Sequence, residues 1–136
     1  MATLREAICK ILDDDAKLSA AGTLGNLLGY NATTKPDCVF FMNPPDEPKL
    51  PLLTYFISSE NNDFPRTIFF NFTAWGNNFE VILARVYDLL HKKIEITASD
   101  YSTKALLFDW QSADMWDDDL KCYYKQARYR AIAVNV

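Results

Sequence analysis

Four carboxylates fall within residues 114–119: Asp114, Asp117, Asp118 and Asp119, in "DMWDDDLKC". Oxygen donors of this kind could hold a hard cation. A calcium loop, however, spaces its ligands along the chain and turns on a glycine, and this run does neither. It reads as a solvated turn or an electrostatic surface. Trp116 sits in the middle of it, where burial within one subunit is hard to arrange, and tryptophan is a frequent hot spot of protein contacts. Trp116 is therefore an interface candidate. A second mixture lies downstream, where Lys121, Lys125, Arg128 and Arg130 interleave with Tyr123, Tyr124 and Tyr129. Single-strand nucleic-acid surfaces combine cations and stacking rings in this way. Strand alternation explains the tyrosines equally well, and the neighbouring acidic segments oppose phosphate binding. His91, the only histidine, stands beside Lys92 and Lys93 at a helix end, where a cation complements the helix dipole. It has no evident Ser or Cys partner, so no catalytic group and no cofactor or metal is expected.

Composition narrows the function further. The chain has 136 residues, a length that predicts one domain able to bury a core without disulfides. Fourteen basic against eighteen acidic residues give a net charge of −4. That balance disfavours general nucleic-acid binding, whose affinity comes from neutralising phosphates. Cys9, Cys38 and Cys122 are an odd count with no C-x-x-C, the pattern of reduced thiols in a cytosolic setting. The start "MATLREAICK" lacks a signal-peptide core, and no apolar run reaches the ~20 residues of a membrane span, so no membrane association is expected.

These groups must be positioned by an α+β arrangement. "TLRE" gives Thr3 and Glu6 the spacing of a capping box, and Leu4, Ala7, Ile8, Ile11 and Leu12 repeat at helical spacing behind it. Asp13–Asp15 oppose the dipole and should end that helix, with Asp14 or Asp15 capping a short second turn in "AKLSAAG". "CVFF" at 38–41 is a short strand. "NPPDEPKLP" holds four of the six prolines and is a loop. "LLTYFIS" at 52–58 and "TIFFNFTAW" at 67–75, joined by "SENNDFP", form an antiparallel hairpin. The second strand is aromatic on both faces, so helices should cover one face and a neighbouring subunit the other. Gly76 makes a corner, and Asn77 with Glu80 caps a helix over 77–91. Phe79, Ile82, Leu83, Val86 and Leu90 form its buried face, while Arg85 lies off it and should be dispensable for stability. Strands at 104–113 and 123–136 follow. In the latter Tyr123, Ala127, Tyr129, Ala131 and Ala133 share one face, and Gln126, Arg128 and Arg130 the other. The sum is a mostly antiparallel sheet of about four to five strands flanked by two main helices.

In this order the chain resembles the tail-terminator, or tail-completion, proteins of long-tailed bacteriophages. The resemblance spans nearly the whole length: the helix "TLREAICKILDDDAKLSA", the Pro-rich loop, the strand "PLLTYFIS", the strand "RTIFFNFTAWG", the helix "NFEVILARVYDLLHK", and a final hairpin ending "YYKQARYRAIAV". It implies a structural, non-enzymatic subunit of a hexameric ring, assembled in the host cytoplasm and located at the tail–neck junction of the virion. Its partners would be further copies of itself, the major tail-tube protein and a head-side connector or neck protein. DNA would pass through the lumen without specific binding. On that reading Asp114, Trp116, Asp117, Asp118, Asp119, Arg128 and Arg130 are expected at the lumen or at a ring interface. A head-closure protein, or a small oligomeric cytosolic enzyme with a site shared between subunits, are the competing readings.

Overall fold

Thr3 opens the first helix as the capping pattern requires. Its Oγ1 accepts a hydrogen bond from the Glu6 N–H at 3.3 Å. The helix, α1, runs Leu4–Asp15 in the computed structural model, which describes residues 3–59, 66–91 and 101–135. The loop at 60–65, Lys92, Lys93 and Val136 lie outside the described residues, as does the side chain of Ala133. Leu4, Ile8, Cys9 and Leu12 form the buried stripe of α1. The helix ends at the acidic run, as expected. The short second helix, α2, lies later than the sequence suggested, at Leu24–Leu28 rather than within 16–22. Gly22 at φ +85° turns the chain, and Thr23 caps the helix through Asn26 N–H. Asp15 contributes to the same terminus from nine residues away, its Oδ2 accepting from Leu24 N–H at 2.8 Å.

Six strands follow: β1 Val39–Phe41, β2 Leu52–Ser59, β3 Arg66–Trp75, β4 Tyr101–Gln111, β5 Met115–Asp117 and β6 Cys122–Asn135, with helix α3, Phe79–Leu90, between β3 and β4. They form one sheet in the order β1-β2-β3-β6-β4, with β5 also paired to β6. Only β1, parallel to β2, departs from antiparallel pairing. The β2–β3 hairpin is in register from Leu52↔Trp75 to Ser59↔Ile68. The sixth strand is β5, which the sequence presents as polar loop. It takes up pairing with β6 where β4 leaves off. The Ser112 N–H donates to Gln126 O at 2.8 Å and the Gln126 N–H donates to Ser112 Oγ at 2.9 Å, which fills the break in the ladder.

All three helices lie on one face. Ile68, Phe70, Phe72 and Ala74 of β3, Leu106 of β4 and Ala127, Tyr129 and Ala131 of β6 meet Leu4, Ile8 and Leu12 of α1, Leu24 and Leu28 of α2, and Ile82, Leu83, Val86 and Leu90 of α3 in one core. No helix of the described residues lies over the opposite face of the sheet. Gly76 makes the corner into α3 at φ +130°, where a Cβ would stand 2.8 Å from Pro51 Cβ, so no other residue fits without movement.

Three local expectations are corrected. The N-cap of α3 is Asn78, not Asn77, and it makes no side-chain cap. Its Nδ2 instead donates to Leu27 O at 2.8 Å and ties α3 to the end of α2. Tyr123 lies on the same side of β6 as Ala127 and Tyr129, but it is not buried with them. It is 48% exposed because it lies near the start of β6, opposite Trp116 of β5 and beyond the core that Ala127, Tyr129 and Ala131 join. Arg85 is not an idle surface residue: its Nε and Nη2 hold both oxygens of Asp15, at 2.9 and 2.8 Å, joining the end of α1 to the middle of α3, far apart in sequence.

Candidate functional site

The acidic run sits at the β5–β6 hairpin, and most of its members have local duties. Asp117 Oδ1 accepts from the Leu120 N–H at 2.8 Å and shapes the turn. Asp118 Oδ1 accepts from Trp116 Nε1 at 3.0 Å. Asp114 pairs with Lys125 Nζ at 3.3 Å, and the same ammonium lies 3.7 Å from Glu80. Asp119 is exposed. Trp116 and Tyr123 face each other across the hairpin, ring centroids 4.8 Å apart and edge to face, each about half exposed. The hairpin therefore presents an aromatic pair ringed by carboxylates. Among the described residues no group of three or more His, Cys, Asp or Glu side chains is disposed to hold a metal ion.

Arg128 and Arg130 are not part of that hairpin. Both project from β6 onto the helix-free face of the sheet, with Arg130 roughly 23 Å along the strand from Tyr123 at the usual rise per residue. Arg128 is engaged within the subunit: Nε contacts Asp109 Oδ2 at 2.8 Å, and the guanidinium lies 4.5 Å from the Phe69 ring centroid. The register shift between Phe108 and Trp110 leaves Asp109 as an extra residue in β4, and it is this residue that reaches Arg128. Arg130 is exposed, between Phe69 and Leu107 on the neighbouring strands. Around the two arginines stand Phe56 at 39%, Trp110 at 47% and Ile132 at 38% exposure. The aromatic character of β3 on both faces is thus accounted for: one side is core, the other an open apolar and cationic surface.

Sequence patterning did not point to a further concavity, between α3 and β4. It has a volume of about 390 Å³ and is lined by Glu80, Tyr87, Asp88, Phe108, Gln111 and Tyr129, among others. Tyr129 is fully buried, and its hydroxyl has no hydrogen-bond partner among the described residues. Burial, reinforced by Tyr87 and Asp88 nearby, raises its pKa well above the ordinary phenol value, so it stays protonated. His91 is stacked on Tyr87 at 4.4 Å and accepts from the Phe108 N–H through Nδ1 at 3.1 Å. That bond makes His91 a structural clamp between α3 and β4. The three thiols are buried, and burial pushes each of them up in pKa, away from reactive thiolate.

The chain shares its fold with a chain in a solved structure entitled "Virion of native gene transfer agent (GTA) particle". The TM-score is 0.64 at 15% sequence identity, over 96% of this chain and 94% of that one. No protein-family model matches the sequence, and no curated protein matches it.

Proposed function

We propose that this chain is a structural subunit of a phage-like particle, and within that class a tail terminator: a ring of six copies that caps the finished tail tube, stops its growth and joins it to the head-side neck. The observation that carries the reading is the shared fold with a virion chain along almost the full length of both. The sheet supports it independently. One face is sealed by three helices, while the other exposes Phe56, Trp110 and Ile132 around two arginines. A subunit that closes a ring needs surfaces of this kind, since a heterologous contact joins two different faces of the same molecule. The carboxylates of the β5–β6 hairpin suit a lumen through which DNA must slide, because like charge repels phosphate.

The test is tube length. Major tail-tube protein polymerised with increasing amounts of this chain should give shorter, capped tubes, with ring density at one end in electron micrographs. Tubes that grow to the same length with the chain absent from their ends would overturn the reading. Binding to the portal side alone would favour a head-closure role instead.

A further inference from the structure

Two surfaces on opposite sides of β6 are complementary. Tyr129 faces α3 and forms the floor of the cleft between α3 and β4. Arg130, the next residue, faces the helix-free side of the sheet. Adjacent strand residues point to opposite faces, so the two surfaces lie back to back through a single strand.

The cleft is built for a cation. Glu80, which also lies 3.7 Å from Lys125 Nζ, and Asp88 stand on α3 at its rim, with the rings of Tyr87 and Phe108 on its walls. Asp88 has no ion-pair partner among the described residues, and the nearest arginine on its helix, Arg85, is committed to Asp15. At the floor lies Tyr129, 0% exposed, its hydroxyl without a hydrogen-bond partner among the described residues. A buried hydroxyl without a partner is costly, and one that can accept from an N–H completes a site already framed by carboxylates and aromatic rings. The other surface supplies the matching group. Arg130 is exposed, has no carboxylate partner among the described residues, and is set among Phe69, Leu107 and Ile132, which exclude water when covered.

The geometry points to a head-to-tail contact in which Arg130 of one copy enters the Glu80–Asp88–Tyr129 cleft of the next. The occupant is a second copy of this chain, and the argument is charge and shape complementarity between two faces of one molecule. This contact rests on the ring reading above and names the interface that closes the ring. It also gives the Tyr129 hydroxyl a partner that it lacks among the described residues of its own subunit.

Charge reversal tests it, with assembly measured by native mass spectrometry and sedimentation over a concentration series, alone and on tail tubes. Arg130→Glu and Asp88→Arg should each raise the concentration for half-assembly at least about tenfold, because each places like charges in the contact. Their circular dichroism and melting should match the unmodified chain, since both residues are exposed. The double variant Arg130→Glu/Asp88→Arg should recover assembly. Tyr129→Phe should weaken assembly several-fold while leaving the subunit at least as stable, because it removes an unpaired polar atom. Single variants that assemble normally, a double variant that does not recover, or a Tyr129→Phe subunit that is less stable would each overturn this contact. If the unmodified chain forms rings while the variants have no effect, only this interface is wrong. A chain that stays monomeric under every condition removes the ring reading as well.

Discussion

Asp15 and Arg85, 70 residues apart, form a two-pronged ion pair at 2.8 and 2.9 Å that locks the end of α1 to the outer side of α3. The Asp15 side chain is only 7% exposed, against 30% for Arg85, and its second oxygen also caps α2. Removing Arg85 strands a nearly buried carboxylate. Arg85→Ala should therefore cost about 3 kcal/mol, the low end for breaking a buried pair because the arginine is partly wet. Urea denaturation gives the value. A loss below about 0.5 kcal/mol, the range for ordinary surface changes, would show that the pair contributes nothing.

The same pair predicts an acid dependence. The hydrogen bond from Arg85, supported by the Leu24 N–H and opposed by burial, holds the Asp15 carboxyl below its usual value. A depressed pKa in the folded state contributes stability that is complete above the unfolded value of about 3.9 and is lost as pH falls through the folded value. Melting temperature measured from pH 7 down to pH 2 should decline over that window. Asp15→Asn should start from a lower plateau and decline less steeply. An unchanged slope would assign the acid loss to other carboxylates.

Helix α3 has one face for the core and another for its surroundings. Ile82 and Leu83 are buried in the cluster shared with β3 and β6, while Val81 is 54% exposed. Ile82→Ala and Leu83→Ala should each cost about 2–5 kcal/mol from lost burial and the cavity left behind. Val81→Ala should stay within about 0.5 kcal/mol. Similar losses at all three positions in chemical denaturation would mean that the helix is rotated from the orientation described.

The hairpin aspartates should separate by role. Asp117→Ala loses the bond that shapes the turn and should cost about 1 kcal/mol. Asp119→Lys changes only surface charge and should leave subunit stability unchanged. If the hairpin lines a DNA passage, Asp118→Lys/Asp119→Lys particles should assemble normally yet release DNA more slowly, since the wall would then attract phosphate. DNA release followed by dye fluorescence reads this directly. Unchanged release would make the hairpin an ordinary solvated turn.

Local chemistry made much of the fold legible from residues alone. The Thr3 cap, the apolar stripes of α1 and α3, the glycine corner at 76 and the β2–β3 hairpin depend on groups close together in sequence, and each is found where its pattern places it. The α+β class follows from the same signals. What tertiary structure alone decided are the relations between distant groups. Asp15 looks like a helix terminator until Arg85 arrives from another helix. Asn77 looks like the cap of α3, but Asn78 takes that place and turns its side chain to Leu27 O instead. Met115–Asp117 look like polar loop, because three residues carry too little periodicity to announce a strand, and pairing with β6 supplies what propensity does not. The seven residues singled out for an interface share two stretches of sequence but divide between two places, the hairpin and the open sheet face. Strand alternation told which side of β6 each arginine faces. Only the packed sheet, with the described helices all on one side, decided that Arg130 is exposed and that the Tyr129 hydroxyl behind it is buried and without a partner among the described residues.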